Sequence, residues 1–280
     1  MIRNTAAEVE GQPVHEIRVA FIDLDGTLLG PDKTISQANR SALRSLQEAG
    51  IETVLASGRD HRDIVKIAEQ TNCSPWIVSS QGAMVKNRKT GEILHELTVD
   101  RQLAVEVHLW ATQRDMSTLA YTRDGVFAET ETEWTRLHAQ RYGRPQSDTV
   151  ARLATGGLQK LLFSADAQRI PEFETQLRQV YGDRLLVVRT EPETVEILQP
   201  GAHKAHGAAA VARHLGFGPQ HAAAFGDGNN DVELLRWAHH SVAMDHGWPE
   251  AKNAARHITA HGHPSEAFAT GVRLLLKTDE

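Results

Sequence analysis

The sequence has little of what characterises secreted or membrane proteins. It contains a single cysteine, Cys73, which excludes an internal disulfide. No run of about 18 apolar residues occurs, which excludes a membrane-spanning helix. Residues 1–16 are polar and acidic and contain no apolar signal-peptide core, so we expect a flexible tail there. These absences favour the cytoplasm and predict no membrane partner.

The charge balance indicates no polyanionic partner. The 280 residues carry a formal net charge of -6, so electrostatics gives no reason to expect nucleic acid binding. Hydrophobic residues make up 40% of the chain, enough for the core of one large domain or two medium ones. This composition is ordinary for a cytosolic enzyme.

Histidine is abundant, with 15 residues, several of them late in the chain. His261 and His263 are close enough in sequence to suggest a metal-binding pair. However, no carboxylate or cysteine completes a recognisable ligand spacing around them. We therefore favour a solvated surface loop for this segment over a metal site.

The first third of the sequence alternates between short apolar runs and helical patterns. The runs Val19–Ile22, Thr53–Ala56 and Trp76–Val78 predict buried parallel strands. Helical spacing of apolar residues separates them, and Ser36 and Gly50 provide the start and stop signals of the first helix. This order predicts an α/β fold with a doubly wound parallel sheet, similar to a Rossmann core.

A different pattern follows between about residues 99 and 199. It predicts three helices and two hairpin-like pairs of strands, one of them joined at Asp124-Gly125. The α/β alternation resumes after Pro200, with a helix from Lys204 to Leu215. We therefore predict a core domain of residues 17–83 and 200–280 that carries an inserted α+β domain of residues 84–199.

Chemically useful residues gather at the predicted carboxyl ends of the core strands. Ligands bind at this edge in open parallel sheets. Three strands end in such segments and a lysine opens a nearby helix: Asp23-Leu24-Asp25, Ser57-Gly58-Arg59, Asp227-Gly228-Asn229-Asn230-Asp231 and Lys204. One edge of the sheet is thus predicted to combine carboxylates, a hydroxyl and an amine.

These residue types suit phosphoryl transfer. Asp23 and Asp25 are two positions apart in an extended segment, so their side chains point the same way, and Asp227 adds a third oxygen ligand suited to Mg²⁺. Paired acids can divide the roles of nucleophile and general acid–base. Gly58 allows backbone N–H groups to approach a phosphate closely, and Lys204 supplies positive charge. We expect Mg²⁺ as the cofactor and a small phosphorylated molecule as the substrate.

Four segments resemble the motifs of the haloacid dehalogenase superfamily, in the family's order. They are Asp23-Leu24-Asp25-Gly26-Thr27, Ser57-Gly58-Arg59, Lys204 and Gly226-Asp227-Gly228-Asn229-Asn230-Asp231. The insertion between the second and third motifs is similar to the type-two, subtype-B cap of Cof-type phosphatases. The resemblance covers Arg18 to about Leu276. It implies a phosphomonoesterase that acts through an aspartyl-phosphate on a sugar phosphate or a cofactor phosphate.

The resemblance also implies a role for each matching acid. Asp23 would attack phosphorus, and Asp25 would protonate the leaving oxygen and then activate water. Mg²⁺ would be held by Asp23, the backbone carbonyl of Asp25, and Asp227. Asp231 would orient either a metal-bound water or Lys204.

The same resemblance implies the phosphate-binding groups, which are Ser57, Gly58, Lys204 and Asn230. Three sites depart from the family's pattern. Gln81 stands where asparagine is usual, Met244-Asp245-His246-Gly247 replaces Met-Gly-Asn-Ala, and His261-Gly262-His263-Pro264 replaces a loop that commonly contains asparagine. These departures leave the expected chemistry intact but weaken any transfer of substrate identity.

Two other functions remain open. A phosphomutase-type phosphotransferase would pass the same phosphate to a sugar hydroxyl, and a metabolite-binding protein on this scaffold would not release phosphate at all. Within the insertion, Trp110 and Trp134 could line a substrate pocket, but we favour packing in the core. Arg101, His138 and Arg141 could contact substrate, but we favour a solvent-facing position for them. The sequence does not indicate which oligomeric state the protein adopts.

Overall fold

The structure is a computed structural model that describes residues 16–148 and 157–276. The predicted tail therefore lies outside the described residues, except for Glu16. The described α-helices are α1 Gln37–Glu48, α2 His61–Thr71, α3 Arg101–Thr112, α4 Glu133–Tyr142, α5 Ile170–Tyr181, α6 Lys204–His214, α7 Val232–Trp237, α8 Pro249–Ala254 and α9 Ala267–Leu276.

The strands form two separate sheets. Eight strands make the core sheet: β1 Val19–Ile22, β2 Glu52–Ala56, β3 Trp76–Ser79, β4 Met84–Asn87, β5 Ile93–Glu96, β12 Ala222–Gly226, β13 His240–Ala243 and β14 His257–Ile258. Six strands make the second sheet: β6 Ser117–Thr122, β7 Gly125–Ala128, β8 Gln146–Ser147, β9 Leu158–Ser164, β10 Leu186–Glu191 and β11 Thr194–Leu198.

The core sheet confirms the predicted Rossmann-like class. Its strand order is β14-β13-β12-β1-β2-β3-β4-β5, and the strands from β14 to β3 all run parallel. The central strand β1 is buried along its whole length, as its continuous apolar run predicts. The side chain of Ser36 caps α1 by accepting a hydrogen bond from the Asn39 backbone N–H. These elements hold the ends of β1, β2 and β12 at one edge.

The predicted start of the insertion at residue 84 is wrong. Strand β4 pairs antiparallel with β3, and β5 pairs antiparallel with β4, so both extend the core sheet. The Asn87 side chain accepts hydrogen bonds from the backbone N–H groups of Lys89 and Thr90 and closes the turn between the two strands. We call residues 97–199, which carry the second sheet, the second domain.

Helices α3 and α5 of the second domain pack on one face of its sheet, and α4 lies against the other face, where Nε2 of His138 is 3.2 Å from the hydroxyl oxygen of Tyr121. Residues such as Val107, Leu161 and Phe163 form its core with α3 and α5. Alternate residues along the same strands point to the opposite face, which is turned toward the core domain. This face, with Lys160 on β9 and Glu196 on β11, lines a cavity between the two domains. Among the described residues, no helix is long and apolar enough to cross a membrane.

Candidate active site

The first motif lies directly at the end of β1. Asp23 follows the buried strand and is itself only 4% exposed. Gly26 adopts a left-handed backbone conformation with φ +83, and a Cβ atom there would lie 2.3 Å from Oδ2 of Asp227. Only glycine allows the loop after β1 to approach the loop after β12 this closely. The first and fourth motifs are therefore brought together at one point.

Lys204 joins three of the predicted site residues. Its Nζ atom donates to Oδ1 of Asp23 at 2.5 Å and to Oδ1 of Asp231 at 2.6 Å, and the side chain is fully buried. Burial alone would lower the pKa of Lys204, but the two carboxylates raise it above its ordinary value. The ammonium group is therefore charged and is held beside Asp23.

Asp231 organises the loop after β12. Its Oδ2 atom accepts hydrogen bonds from the backbone N–H groups of Asp227 and Gly228 at 3.0 and 2.9 Å, while Oδ1 contacts Lys204. Both oxygens are thus engaged, which leaves neither well placed to hold a metal ion directly. The resemblance implied that Asp231 orients either a metal-bound water or Lys204, and these contacts favour Lys204.

Three carboxylates cluster at the candidate metal centre, where Asp23 and Asp227 are the candidate ligands and Asp231 adds negative charge. Oxygens of Asp23, Asp227 and Asp231 lie within 4.8 Å of one another, the one such acidic or histidine group among residues 16–148 and 157–276. Burial, with the charge of Asp231, raises the pKa of Asp23 to about 7. Burial and the charge of Asp23 raise the pKa of Asp227 well above its usual range. Such excess negative charge, on oxygen ligands, fits a divalent cation such as Mg²⁺.

Asp25 forms ion pairs with Arg59 and Lys33, which the sequence analysis did not predict. Arg59 donates to it through Nε and Nη2, both at 2.7 Å, and Lys33 donates through Nζ at 2.7 Å. Burial would raise the pKa of Asp25, but Arg59 and Lys33 lower it to about 2. Asp25 is therefore a carboxylate in this structure. Before it can donate a proton, its contact with Arg59 must change.

The expected phosphate-binding residues lie beside these carboxylates. Ser57 directly follows β2, is 2% exposed, and accepts a hydrogen bond from the Arg59 backbone N–H at 3.3 Å. Gly58 and Asn230 line the same cavity as Asp23 and Asp25. All the residues predicted for the site therefore meet at one edge of the core sheet, with Lys204 behind Asp23.

The cavity between the domains has a volume of about 540 Å³. Its second-domain wall combines apolar and aromatic side chains with polar and charged ones. The first group is Leu119, Tyr121, Trp134, Leu137, Tyr142 and Leu162, and the second is His138, Arg141, Lys160, Ser164, Thr190, Glu191, Glu193, Thr194 and Glu196. Burial and the charge of Lys160 lower the pKa of His138 on this wall to about 4, so its imidazole is neutral near pH 7. The cavity is large enough for a small metabolite.

The expectations for two side chains of the second domain are corrected by this wall. Trp134 and His138 line the cavity, because one face of α4 is turned toward the core domain. Arg141 also borders the cavity but is exposed, as expected. Helical periodicity identifies an apolar face but does not say whether that face meets a core or a cavity. Trp110 instead packs against Tyr181, as expected.

The late histidines do not form a metal site within the described residues. His261 is highly exposed and its Nδ1 atom lies 2.9 Å from a carboxylate oxygen of Asp245. His263 accepts a hydrogen bond from the Ser265 backbone N–H. His246 makes a different contact, with Nε2 lying 2.8 Å from the carbonyl oxygen of Gly26. The surface-loop interpretation of His261 and His263 agrees with these contacts.

Comparison with known proteins shows what the chain and its fold are similar to. Residues 20–269 match the family of haloacid dehalogenase-like hydrolases. A crystal structure of a haloacid dehalogenase-like hydrolase from Bacteroides thetaiotaomicron is 26% identical, with a TM-score of 0.81, and the match covers 93% of this chain and 100% of that one.

Two curated relatives differ in how much of them this chain spans. A Serratia proteamaculans protein named HMP-PP phosphatase is 27% identical over 248 residues, which is 88% of this chain and 90% of that protein. The Arabidopsis thaliana protein named chloroplastic endoribonuclease YBEY is 27% identical over 249 residues, 84% of this chain. The chain spans only 42% of that longer protein.

Proposed function

This chain belongs to the family of haloacid dehalogenase-like hydrolases, and from that premise we propose that this phosphatase is Mg²⁺-dependent and hydrolyses a small phosphorylated metabolite through an aspartyl-phosphate. The observation that carries the proposal is the buried contact of Asp23 with Lys204 at 2.5 Å, beside two further carboxylates. A carboxylate nucleophile and a phosphate repel each other unless cations lie beside both.

Each residue then has a task in the reaction. Asp23 attacks phosphorus and its oxygen forms the new bond, while the bond between phosphorus and the ester oxygen breaks. Asp25, once protonated and released from Arg59, donates the proton with which that oxygen leaves as an alcohol. Ser57, the Gly58 backbone, Asn230 and Lys204 bind the phosphate oxygens. Asp23, Asp227 and the carbonyl of Asp25 would hold Mg²⁺, which supplies charge neutralisation. Asp25, as the carboxylate found here, is suited to activating the water that hydrolyses the intermediate.

The cavity wall supports a narrower choice of substrate. Tyr121, Trp134 and Tyr142 present aromatic surface opposite the carboxylates, and the neighbouring leucines are also apolar. A planar ring loses water favourably against these aromatic side chains. We therefore propose a phosphate ester of a ring-containing cofactor or cofactor precursor.

Phosphate release from matched compounds tests both proposals. We expect Mg²⁺-dependent release that chelation with EDTA abolishes, with pyridoxal 5′-phosphate cleaved faster than glucose 6-phosphate by about tenfold or more. Equal rates for the two compounds would contradict the ring preference but not the proposed phosphatase activity. An isomerised sugar phosphate without free phosphate would indicate the phosphomutase alternative, and binding without any turnover would indicate a binding protein.

Stabilisation by Mg²⁺ should depend on pH. In the metal-free folded protein, Asp23 holds a proton up to about pH 7, whereas in the unfolded chain it releases that proton near its ordinary value of 3.8. The contribution of Asp23 to the free energy of unfolding therefore falls as pH rises between these values. Mg²⁺ binds the deprotonated carboxylates. The increase in unfolding temperature that Mg²⁺ causes should therefore be at least about twice as large at pH 7.5 as at pH 5.5.

Thermal unfolding with Mg²⁺ and with EDTA, at both pH values, measures this difference. Comparing the unfolding temperatures in Mg²⁺ and in EDTA at the same pH cancels the contributions of buried histidines such as His61 and His138, whose pKa values are lowered to about 4. Asp227→Asn is the control, because it removes a proposed ligand and should abolish the Mg²⁺ effect at either pH. Equal stabilisation at both pH values would contradict the assignment of the metal to these carboxylates.

A further inference from the structure

The turn after β3 has an unusual backbone. Ser80, Gln81 and Gly82 all adopt left-handed conformations, with φ 49, 59 and 90. Ser80 and Gln81 are the one pair of consecutive non-glycine residues with positive φ in the described part of the chain. Each such residue costs about 1–2 kcal/mol, and such strain persists where surrounding contacts enforce it. The turn directs the Gln81 side chain into the cavity.

The Gln81 amide connects the two domains. Its Oε1 atom accepts a hydrogen bond from Nδ2 of Asn230 at 2.9 Å, and its Nε2 atom donates to Oε2 of Glu196 at 2.9 Å. Gln81 is 3% exposed and Glu196 is also 3% exposed. One end of the amide therefore meets a proposed phosphate-binding residue of the core, and the other meets a strand of the second domain.

Lys160 connects the same carboxylate back to the core. Its Nζ atom donates to Oε1 of Glu196 at 2.6 Å and to the carbonyl oxygen of Gly58 at 2.8 Å. It also lies 4.2 Å from the ring centroid of Tyr121, and the side chain is 1% exposed. We call the contacts that join Gly58, Lys160, Glu196, Gln81 and Asn230 the interdomain network.

Only one assignment of donors and acceptors satisfies every hydrogen bond of the interdomain network. A carboxylate paired with a lysine can only accept hydrogen bonds, so Glu196 requires the NH₂ end of Gln81. The oxygen of Gln81 then points at Asn230 and requires the NH₂ end of that residue. One N–H of Asn230 is held by Gln81, which leaves the other N–H available to a phosphate oxygen.

We propose that Gln81, Lys160 and Glu196 are positioning residues, which orient Asn230 and the Gly58 loop for phosphate binding while the second domain contacts the core. The inference rests on the proposed function, because it assigns phosphate binding to Asn230 and Gly58. Since two of the three residues belong to the second domain, the phosphate site is fully ordered only when the domains are together. The phosphate site then depends on the domain that also forms the far wall of the cavity.

A pair of glutamines provides a matched test. Gln81→Met removes both amide contacts with little change of volume. Gln159→Met removes another buried interdomain amide, which accepts from Ser80 Oγ at 2.8 Å but contacts none of the proposed phosphate-binding groups. We expect Gln81→Met to weaken the binding of inorganic phosphate and to lower kcat by about tenfold to a hundredfold. Gln159→Met should keep the phosphate affinity and kcat near the wild-type values, although it should lose about as much thermal stability as Gln81→Met.

Calorimetric titration of inorganic phosphate in the presence of Mg²⁺ gives the affinity, and 4-nitrophenyl phosphate gives kcat. Glu196→Gln serves if Gln81→Met does not fold. The introduced amide must turn its oxygen to Lys160, so its NH₂ group faces Gln81 and reverses the orientation of Gln81. Phosphate should then bind about tenfold more weakly. Unchanged phosphate affinity in a folded Gln81→Met or Glu196→Gln protein, or equal losses in Gln81→Met and Gln159→Met, would overturn the inference. A wild-type protein that neither binds nor releases phosphate would instead overturn the proposed function.

Discussion

Replacing Asp23 with asparagine is expected to reduce phosphate release by about 10⁴-fold or more, because the amide cannot form the acyl-phosphate bond. The fold should survive, since an asparagine oxygen can still accept the hydrogen bond that Lys204 donates to Oδ1 of Asp23. Asparagine also removes a buried carboxylate whose pKa is raised to about 7, so the unfolding temperature in EDTA should not fall.

Rates with and without Mg²⁺, together with thermal unfolding in EDTA, test this expectation. Asp100→Asn is the matched control: it makes the same chemical change at the residue that caps α3, and asparagine caps helices as well as aspartate does. This control should keep its activity within about twofold. Turnover by the Asp23→Asn protein above one-hundredth of the wild-type rate would rule out Asp23 as the nucleophile.

Replacing Lys204 with methionine is expected to lower both activity and stability. Methionine fills much of the space of the fully buried lysine stem but leaves the carboxylates of Asp23 and Asp231 without their shared cation. Removing one partner of a buried ion pair costs about 3–5 kcal/mol, which corresponds to a fall of roughly 10 °C in unfolding temperature for a chain of this size. Phosphate release should fall at least about 10³-fold.

Added Mg²⁺ should recover part of the lost stability, but not the activity, of the Lys204→Met protein. The metal can neutralise the freed carboxylates, whereas the ammonium group beside the phosphate is still missing. Lys66→Met is the comparison, because the Lys66–Asp63 pair involves a lysine side chain that is 69% exposed and should contribute little. An unfolding temperature within about 2 °C of wild type for Lys204→Met would contradict the central role of this lysine.

Much of the core could be predicted because its signals are local. Continuous apolar runs identify parallel strands, and the residues that follow β1, β2 and β12 must then meet at one sheet edge. Asp23, Ser57 and Asp227 could therefore be assigned to one site before any coordinates were known. The hairpin of β4 and β5 was missed because its membership of the core sheet is set by pairing with β3, which no local pattern records.

The interdomain contacts could not be predicted for a related reason. Lys160 and Glu196 are ordinary strand residues in sequence, and their ion pair depends on the register in which Glu196 pairs with Leu162 and Leu198 with Lys160. The contact of Arg59 with Asp25 likewise depends on how two loops from different strands approach each other. A buried charge is recognised only once its partner is known.

The pairing of β1 with β12 has a consequence for biosynthesis. Val19 lies opposite Ala222, so one side of the central strand has no partner until the ribosome has made the whole second domain. At about 5–20 residues per second this delay lasts roughly 10–40 s. During that time the nascent chain presents an apolar strand edge, which is a template for aggregation. Cellular yield of this protein should therefore depend on chaperones that bind the nascent chain and on translation speed before residue 222.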